Sequence, residues 1–61
     1  MSFKSIAKWP AEIKLGTATN ESIDTHTTHA QAEAVCQLLT ERGFGGDGKV
    51  FPLSTRVEEV P

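Results

Sequence analysis

This sequence contains one cysteine, no tyrosine and no long apolar stretch. A lone cysteine excludes an internal disulfide, and we expect Cys36 to be a small buried hydrophobic residue. A transmembrane helix needs about 20 apolar residues, and a secretory signal needs an apolar core of at least about 7. The sequence contains neither, so we expect a complete cytoplasmic product without a membrane partner.

Positive charge is also scarce, since six basic residues face eight acidic ones and the net charge is −2. Residues 1–20 hold three lysines and one acid, whereas residues 21–48 hold five acids and one arginine. Nucleic-acid-binding domains usually carry a basic excess or a basic stripe. The balance disfavours nucleic acid as a partner, and an accessory factor that uses Lys4, Lys8 and Lys14 is kept as the alternative.

The length of 61 residues sets a further limit. A chain of this size buries only about 60% of its unfolded surface when it folds. With 38% hydrophobic and 23% charged residues, the composition is that of one small globular domain. Too few residues are available to enclose a dry reaction site, so we predict that the protein is not an enzyme and has no cofactor.

One helix is clearly indicated, over about residues 29–42. Thr28 and Gln31 have the spacing of a capping box. Apolar residues then recur at intervals of three and four, which gives one apolar face. Gly43 is typical of a helix stop, and a Schellman motif there would bring Phe44 against Leu39.

Three strands are predicted from alternation of apolar and polar residues, over about residues 11–17, 22–26 and 49–59. Pro52 requires the last strand to be an edge or to break there. A single amphipathic helix needs a sheet to cover it. We therefore predict an α+β domain, β-β-α-β, in which an antiparallel or mixed sheet packs on one helix with strand 11–17 in the centre. Trp9 is expected to cover one end, and the predicted core is Ile13, Leu15, Ile23, Ala32, Val35, Cys36, Leu39, Phe44, Phe51, Leu53 and Val57.

Two patterns resemble ligand sites but have poor context. The residues from Gly43 to Lys49 match the string of a phosphate-binding loop, yet a helix precedes them where the loop requires a strand. Four possible metal ligands lie close together in the chain, but a structural zinc site usually needs a second distant pair. We predict no metal site from this second group, which is His26, His29, Glu33 and Cys36.

Residues 28–46 and 48–58 resemble small uncharacterised bacterial and prophage-type proteins, a family without an established activity. The succession of helix, glycine stop and strand is also similar to small sheet-plus-helix modules such as SPOR domains and some phage anti-CRISPR proteins. The resemblance covers about half of the chain. It implies a compact module of possible phage origin and assigns a role to no residue.

These observations favour a non-enzymatic protein-interaction module, adaptor or inhibitor that acts on a host protein through its surface. Such a protein is a monomer or a homodimer, and a homo-oligomeric structural protein is a further alternative. Tryptophan is enriched at the centres of protein interfaces. The predicted partner-binding residues are Trp9 and, on the sheet face away from the helix, Lys14, Arg56 and Glu58.

Overall fold

The computed structural model describes residues 1–13, 15–16, 19–45 and 49–61. Three strands form one antiparallel sheet in the order β2-β1-β3, and one helix packs on one of its faces. The predicted small α+β domain with β-β-α-β order is confirmed. Its elements are β1 (Ser2–Lys8), β2 (Glu21–His26), α1 (His29–Arg42) and β3 (Ser54–Val60).

The central strand lies nearer the N-terminus than predicted. Residues 11–17 were expected to form it, but β1 does so, and the described part of 11–17 is turn and irregular chain. A turn follows β1 directly, because the Ile13 amide donates to the Pro10 carbonyl oxygen at 3.0 Å. Lys14, Thr17 and Ala18 lie outside the described residues.

The side chains of β1 explain why its alternation was missed. The residues that face α1 include Ser5 and Ala7, which are small, while Ile6 lies on the opposite face with Lys4 and Lys8 as neighbours. Small residues are needed under the helix because α1 lies close to the sheet, as the complete burial of Ala32 shows. The expected contrast between apolar and polar faces is therefore weak in this strand.

The last strand is shorter at its start than the predicted 49–59. Val50 forms only an isolated bridge with Phe44, and regular pairing begins at Ser54. Pro52 has no N–H to donate to a ladder, so the predicted break occurs there. Beyond it, the Leu53 amide donates to the Lys8 carbonyl oxygen at 2.6 Å.

The helix spans the predicted residues, and its capping box is present. The Gln31 amide donates to Thr28 Oγ1 at 3.2 Å, and the Thr28 amide donates to Gln31 Oε1 at 3.3 Å. Gly43 ends the helix with φ 70°, and a Cβ there would lie 2.9 Å from the Val50 carbonyl oxygen. The predicted Schellman motif is absent, because the Phe44 amide donates to Val50 instead.

The core is small and lies between β1 and α1, apart from Ile6, which is buried on the opposite face of the sheet. Ala32 and Cys36 are buried as predicted, and four further predicted core residues are half-buried, namely Ile13, Val35, Leu39 and Val57. Five residues predicted to be core are exposed, because one helix covers only part of one sheet face; these are Leu15, Ile23, Phe44, Phe51 and Leu53. No helix among the described residues has the length and apolar character needed to span a membrane.

Candidate functional site

An open apolar groove of about 280 Å³ lies beside β2 on the helix side of the sheet. Ser22 and Asp24 contribute from β2 and Trp9 from just beyond the end of β1, and the remaining walls come from α1 and two loops. Asp24 is the one charged residue among the described residues that line it. The rest of the wall is apolar and consists of Ile13, Leu15, Val35, Leu39, Phe44 and Val50.

The position of α1 leaves this groove open. The helix packs mainly over β1 and β3 and makes its fewest contacts with β2. Val35 and Leu39 are consequently only half-buried, although they belong to the apolar face of the helix. Phe44, just after the helix, is 69% exposed. The described residues thus leave this apolar surface uncovered.

Trp9 is buried in the wall of this groove, with 6% of its surface exposed. Its Nε1 donates to Ser22 Oγ at 2.9 Å, so its polar atom is satisfied. Its ring meets Phe44 edge to face, with 6.2 Å between the ring centroids. The indole is therefore held in one orientation, and only a small part of it is exposed in the groove wall.

Asn20 links the chain segments next to the groove by hydrogen bonds, and the sequence interpretation did not identify it. Its Nδ2 donates to the carbonyl oxygens of Trp9 and Pro10 at 3.0 and 2.9 Å, and its Oδ1 accepts from the Leu15 amide at 3.3 Å. Its backbone φ is 56°, a left-handed conformation that asparagine tolerates better than most residues. A turn asparagine directly before a strand was the available signal.

The opposite sheet face is polar and is organised by Arg56. Its Nη1 donates to Glu21 Oε2 at 2.7 Å across β1, and its Nε donates to Glu58 Oε2 at 2.8 Å. The hydrogen bond from Arg56 lowers the pKa of Glu21 below its usual value of 4.5. Both carboxylates in turn raise the pKa of Arg56. These charges are already paired within the chain.

The predicted partner-binding residues do not form one surface. Trp9 lies on the helix side of the sheet, whereas Arg56 and Glu58 lie on the opposite face. Lys14 is outside the described residues.

The lysines of β1 share the face of Arg56 but do not form a basic stripe. Lys4 lies opposite Glu58 and Lys8 lies opposite Glu21 in the sheet register. Neighbouring carboxylates of this kind weaken the positive potential that attracts phosphates. This part of the surface gives no support to the alternative of a nucleic-acid accessory factor.

A serine–histidine pair also lies under the helix. Ser5 Oγ and His26 Nε2 are 2.9 Å apart, but Ser5 is buried beneath α1 rather than open to a cavity. A nucleophile needs access to its substrate and donors for the developing oxyanion. The pair therefore satisfies a buried hydroxyl and fixes the end of β2 against β1.

The candidate metal ligands on the helix are not brought together. His29 Nδ1 is 3.6 Å from Glu33 Oε1, both are exposed, and Cys36 is buried against the sheet, where its Sγ lies 3.5 Å from the Arg56 carbonyl oxygen. The described residues contain no group of three or more His, Cys, Asp or Glu side chains placed to hold a metal ion.

The fold is a small two-layer α+β domain whose described residues leave an apolar groove open. Comparison with known proteins adds no further identification, since no protein-family model, curated protein or solved structure matches this chain.

Proposed function

We propose that this chain is a small non-enzymatic protein-interaction module that binds an apolar segment of a partner protein in the groove beside β2. The observation that carries the proposal is the groove itself, about 280 Å³ of solvent-open space with walls that are almost entirely apolar. A concave, mostly apolar surface with a few polar groups is typical of an interaction site.

The shape of the groove supports a segment rather than a flat contact. Trp9 provides a fixed ring on one wall of the groove, and half-buried Val35 and Leu39 form another. The space between these walls accommodates one or two apolar side chains of a partner. Asp24 adds one carboxylate, which favours a partner segment with a lysine or arginine next to its apolar residues. An adaptor or inhibitor of phage origin that acts on a host protein is one form of this proposal.

The experiment compares two exposed apolar residues of similar accessibility. Phe44 lines the groove and is 69% exposed, whereas Leu53 is 65% exposed and lies outside it. Capture from the source cell by wild-type protein, Phe44→Ser and Leu53→Ser is followed by quantitative mass spectrometry. We expect that some proteins are captured by both wild type and Leu53→Ser but are not captured by Phe44→Ser.

A second groove variant guards against a folding artefact. Leu15→Ser removes apolar surface from another part of the wall and should lose the same proteins. Far-UV circular dichroism checks that every variant keeps the native fold. The proposal is refuted if the folded groove variants retain the same proteins as wild type, or if wild type retains none above background.

A further inference from the structure

Within the described part of the chain, the outer edge of β2 pairs with no strand. Among the described residues, β2 pairs only with β1, on its inner side. The Trp9 amide donates to the Asn20 carbonyl oxygen, and these residues continue the β1–β2 register by one position. Hydrogen-bonded pairs alternate along an antiparallel ladder. The backbone groups of Ser22 and Asp24 therefore face β1, and those of Ile23 and Thr25 point outward.

The side chains of β2 are complementary to a second β2 in one antiparallel register. With Ile23 at a two-fold axis, Ser22 lies opposite Asp24 of the second copy, where its hydroxyl can donate to the carboxylate. Thr25 lies opposite Glu21 of the second copy, so no like charges face each other. A register centred on Asp24 would place two carboxylates directly opposite, which is destabilising.

Apolar surface lies next to this edge on both faces. Ile23, which is 53% exposed, would meet its own copy on the open face beside buried Ile6. On the helix face lies the groove, because α1 is displaced toward β3. The other edge, on β3, has α1 above it and carries Glu59 near its end.

We propose that two copies of this chain associate through β2, antiparallel and centred on Ile23, to give a six-stranded sheet. Strands in a sheet are spaced about 4.8 Å apart, which would place the two α1 axes roughly 19 Å from each other. Directly packed helices are only about 8–10 Å apart. The two grooves would then open into one cleft with a helix on each side and paired β2 strands as its floor.

The dimer is tested without any partner and does not depend on the proposed function. Only the statement of what the cleft binds rests on that function. The first test measures mass against concentration by analytical ultracentrifugation for wild type, Thr25→Pro and Glu59→Pro. Proline is tolerated at edge positions whose N–H faces solvent. The same alternation makes Thr25 such a position on β2 and Glu59 its matched control on β3.

We expect the wild-type mass to rise from 6.6 kDa toward twice that value with concentration. Thr25→Pro removes one edge donor from each copy and should weaken association roughly 10- to 100-fold. Glu59→Pro should associate like wild type. A wild type that stays monomeric at millimolar concentration overturns the proposal, as does association that is lost with Glu59→Pro and kept with Thr25→Pro.

Cysteine crosslinking tests the register even if the proline variant fails to fold. Ile23→Cys would meet its own copy across the axis at about 5.5 Å between Cα atoms, within the range for a disulfide. Thr25→Cys, two residues further on, would lie roughly 14 Å from its copy. Wild type supplies the baseline, because its native Cys36 is buried.

Mild oxidation should therefore give disulfide-linked dimers of Ile23→Cys and none of Thr25→Cys. Equal crosslinking of both variants, or of neither, overturns the proposed interface. A monomeric protein whose partner capture still depends on Phe44 would refute the dimer and leave the proposed function standing. A dimer whose captured proteins do not depend on Phe44 would support the dimer and refute the proposed function.

Discussion

Asn20 is the residue whose replacement should test the construction of the groove most directly. Its side chain ties together the end of β1, the Pro10 turn and the Leu15 backbone, and its φ of 56° is one that most residues avoid. Replacement by alanine removes the hydrogen bonds and leaves a poorly tolerated backbone conformation. Replacement by glycine removes the same hydrogen bonds but relieves the conformation. The pair of variants therefore separates the two effects.

The magnitudes follow from the contacts. The two bonds donated by Asn20 Nδ2 are part-buried and contribute about 1 kcal/mol each. A non-glycine residue in the left-handed region costs about 1–2 kcal/mol. We expect Asn20→Ala to lower the free energy of unfolding by about 3 kcal/mol and Asn20→Gly by about 2 kcal/mol. A domain of this size has a total of only about 3–9 kcal/mol.

Urea denaturation measures both variants with two probes. Far-UV circular dichroism reports the sheet and helix, and the fluorescence of Trp9, the only tryptophan, reports the groove. The two transitions should coincide for wild type and shift together for both variants, since small domains unfold in one step. The reasoning is refuted if Asn20→Gly is at least as destabilising as Asn20→Ala, or if neither variant differs from wild type.

Substitutions at three other positions test separate parts of the fold. Thr28→Ala should lower the free energy of unfolding by about 1 kcal/mol and Thr28→Ser by much less, because only alanine removes the cap; equal values in thermal denaturation would exclude the capping role. The pKa of Glu21 is lowered in the fold, so its ion pair with Arg56 stabilises the protein above pH 4.5 and this contribution is lost as the pH falls through the folded pKa. Glu21→Gln should make the free energy of unfolding less dependent on pH below pH 4.5, and a pH dependence identical to that of wild type would contradict this. Ala32→Leu should destabilise by about 1–3 kcal/mol because no space exists at this buried position, whereas unchanged denaturation would mean that α1 lies further from the sheet.

The helix could be predicted from the sequence because its signals are local. Thr28 and Gln31 form the capping box within one turn, and Gly43 ends the helix where the sequence places it. Each of these interactions joins residues a few positions apart, so spacing alone specifies it. The predicted span of β2, 22–26, also differs by only one residue from the observed strand, because the turn residues before it and its alternation are local signals.

The central strand could not be predicted in the same way. Ser5 and Ala7 do not stand out as core residues in the sequence. They are buried because α1 packs closely over them, which small side chains permit. Ile13 and Leu15 have a better alternation but form a groove wall instead of a strand. A period of two therefore indicated a strand in the wrong segment, because alternation does not reveal which residues will be covered.

By itself, the sequence determined the class of this protein: one small α+β domain with a capped helix, a break at Pro52 and an excess of acidic over basic residues. Only the tertiary structure decided that Trp9, Val35 and Phe44 share a groove while Arg56 and Glu58 lie on the other face. The physical reason is that capping and turn formation act between neighbours in the chain. A groove depends on the position of the helix over the sheet. That position is determined by the packing of small residues that are far apart in the sequence.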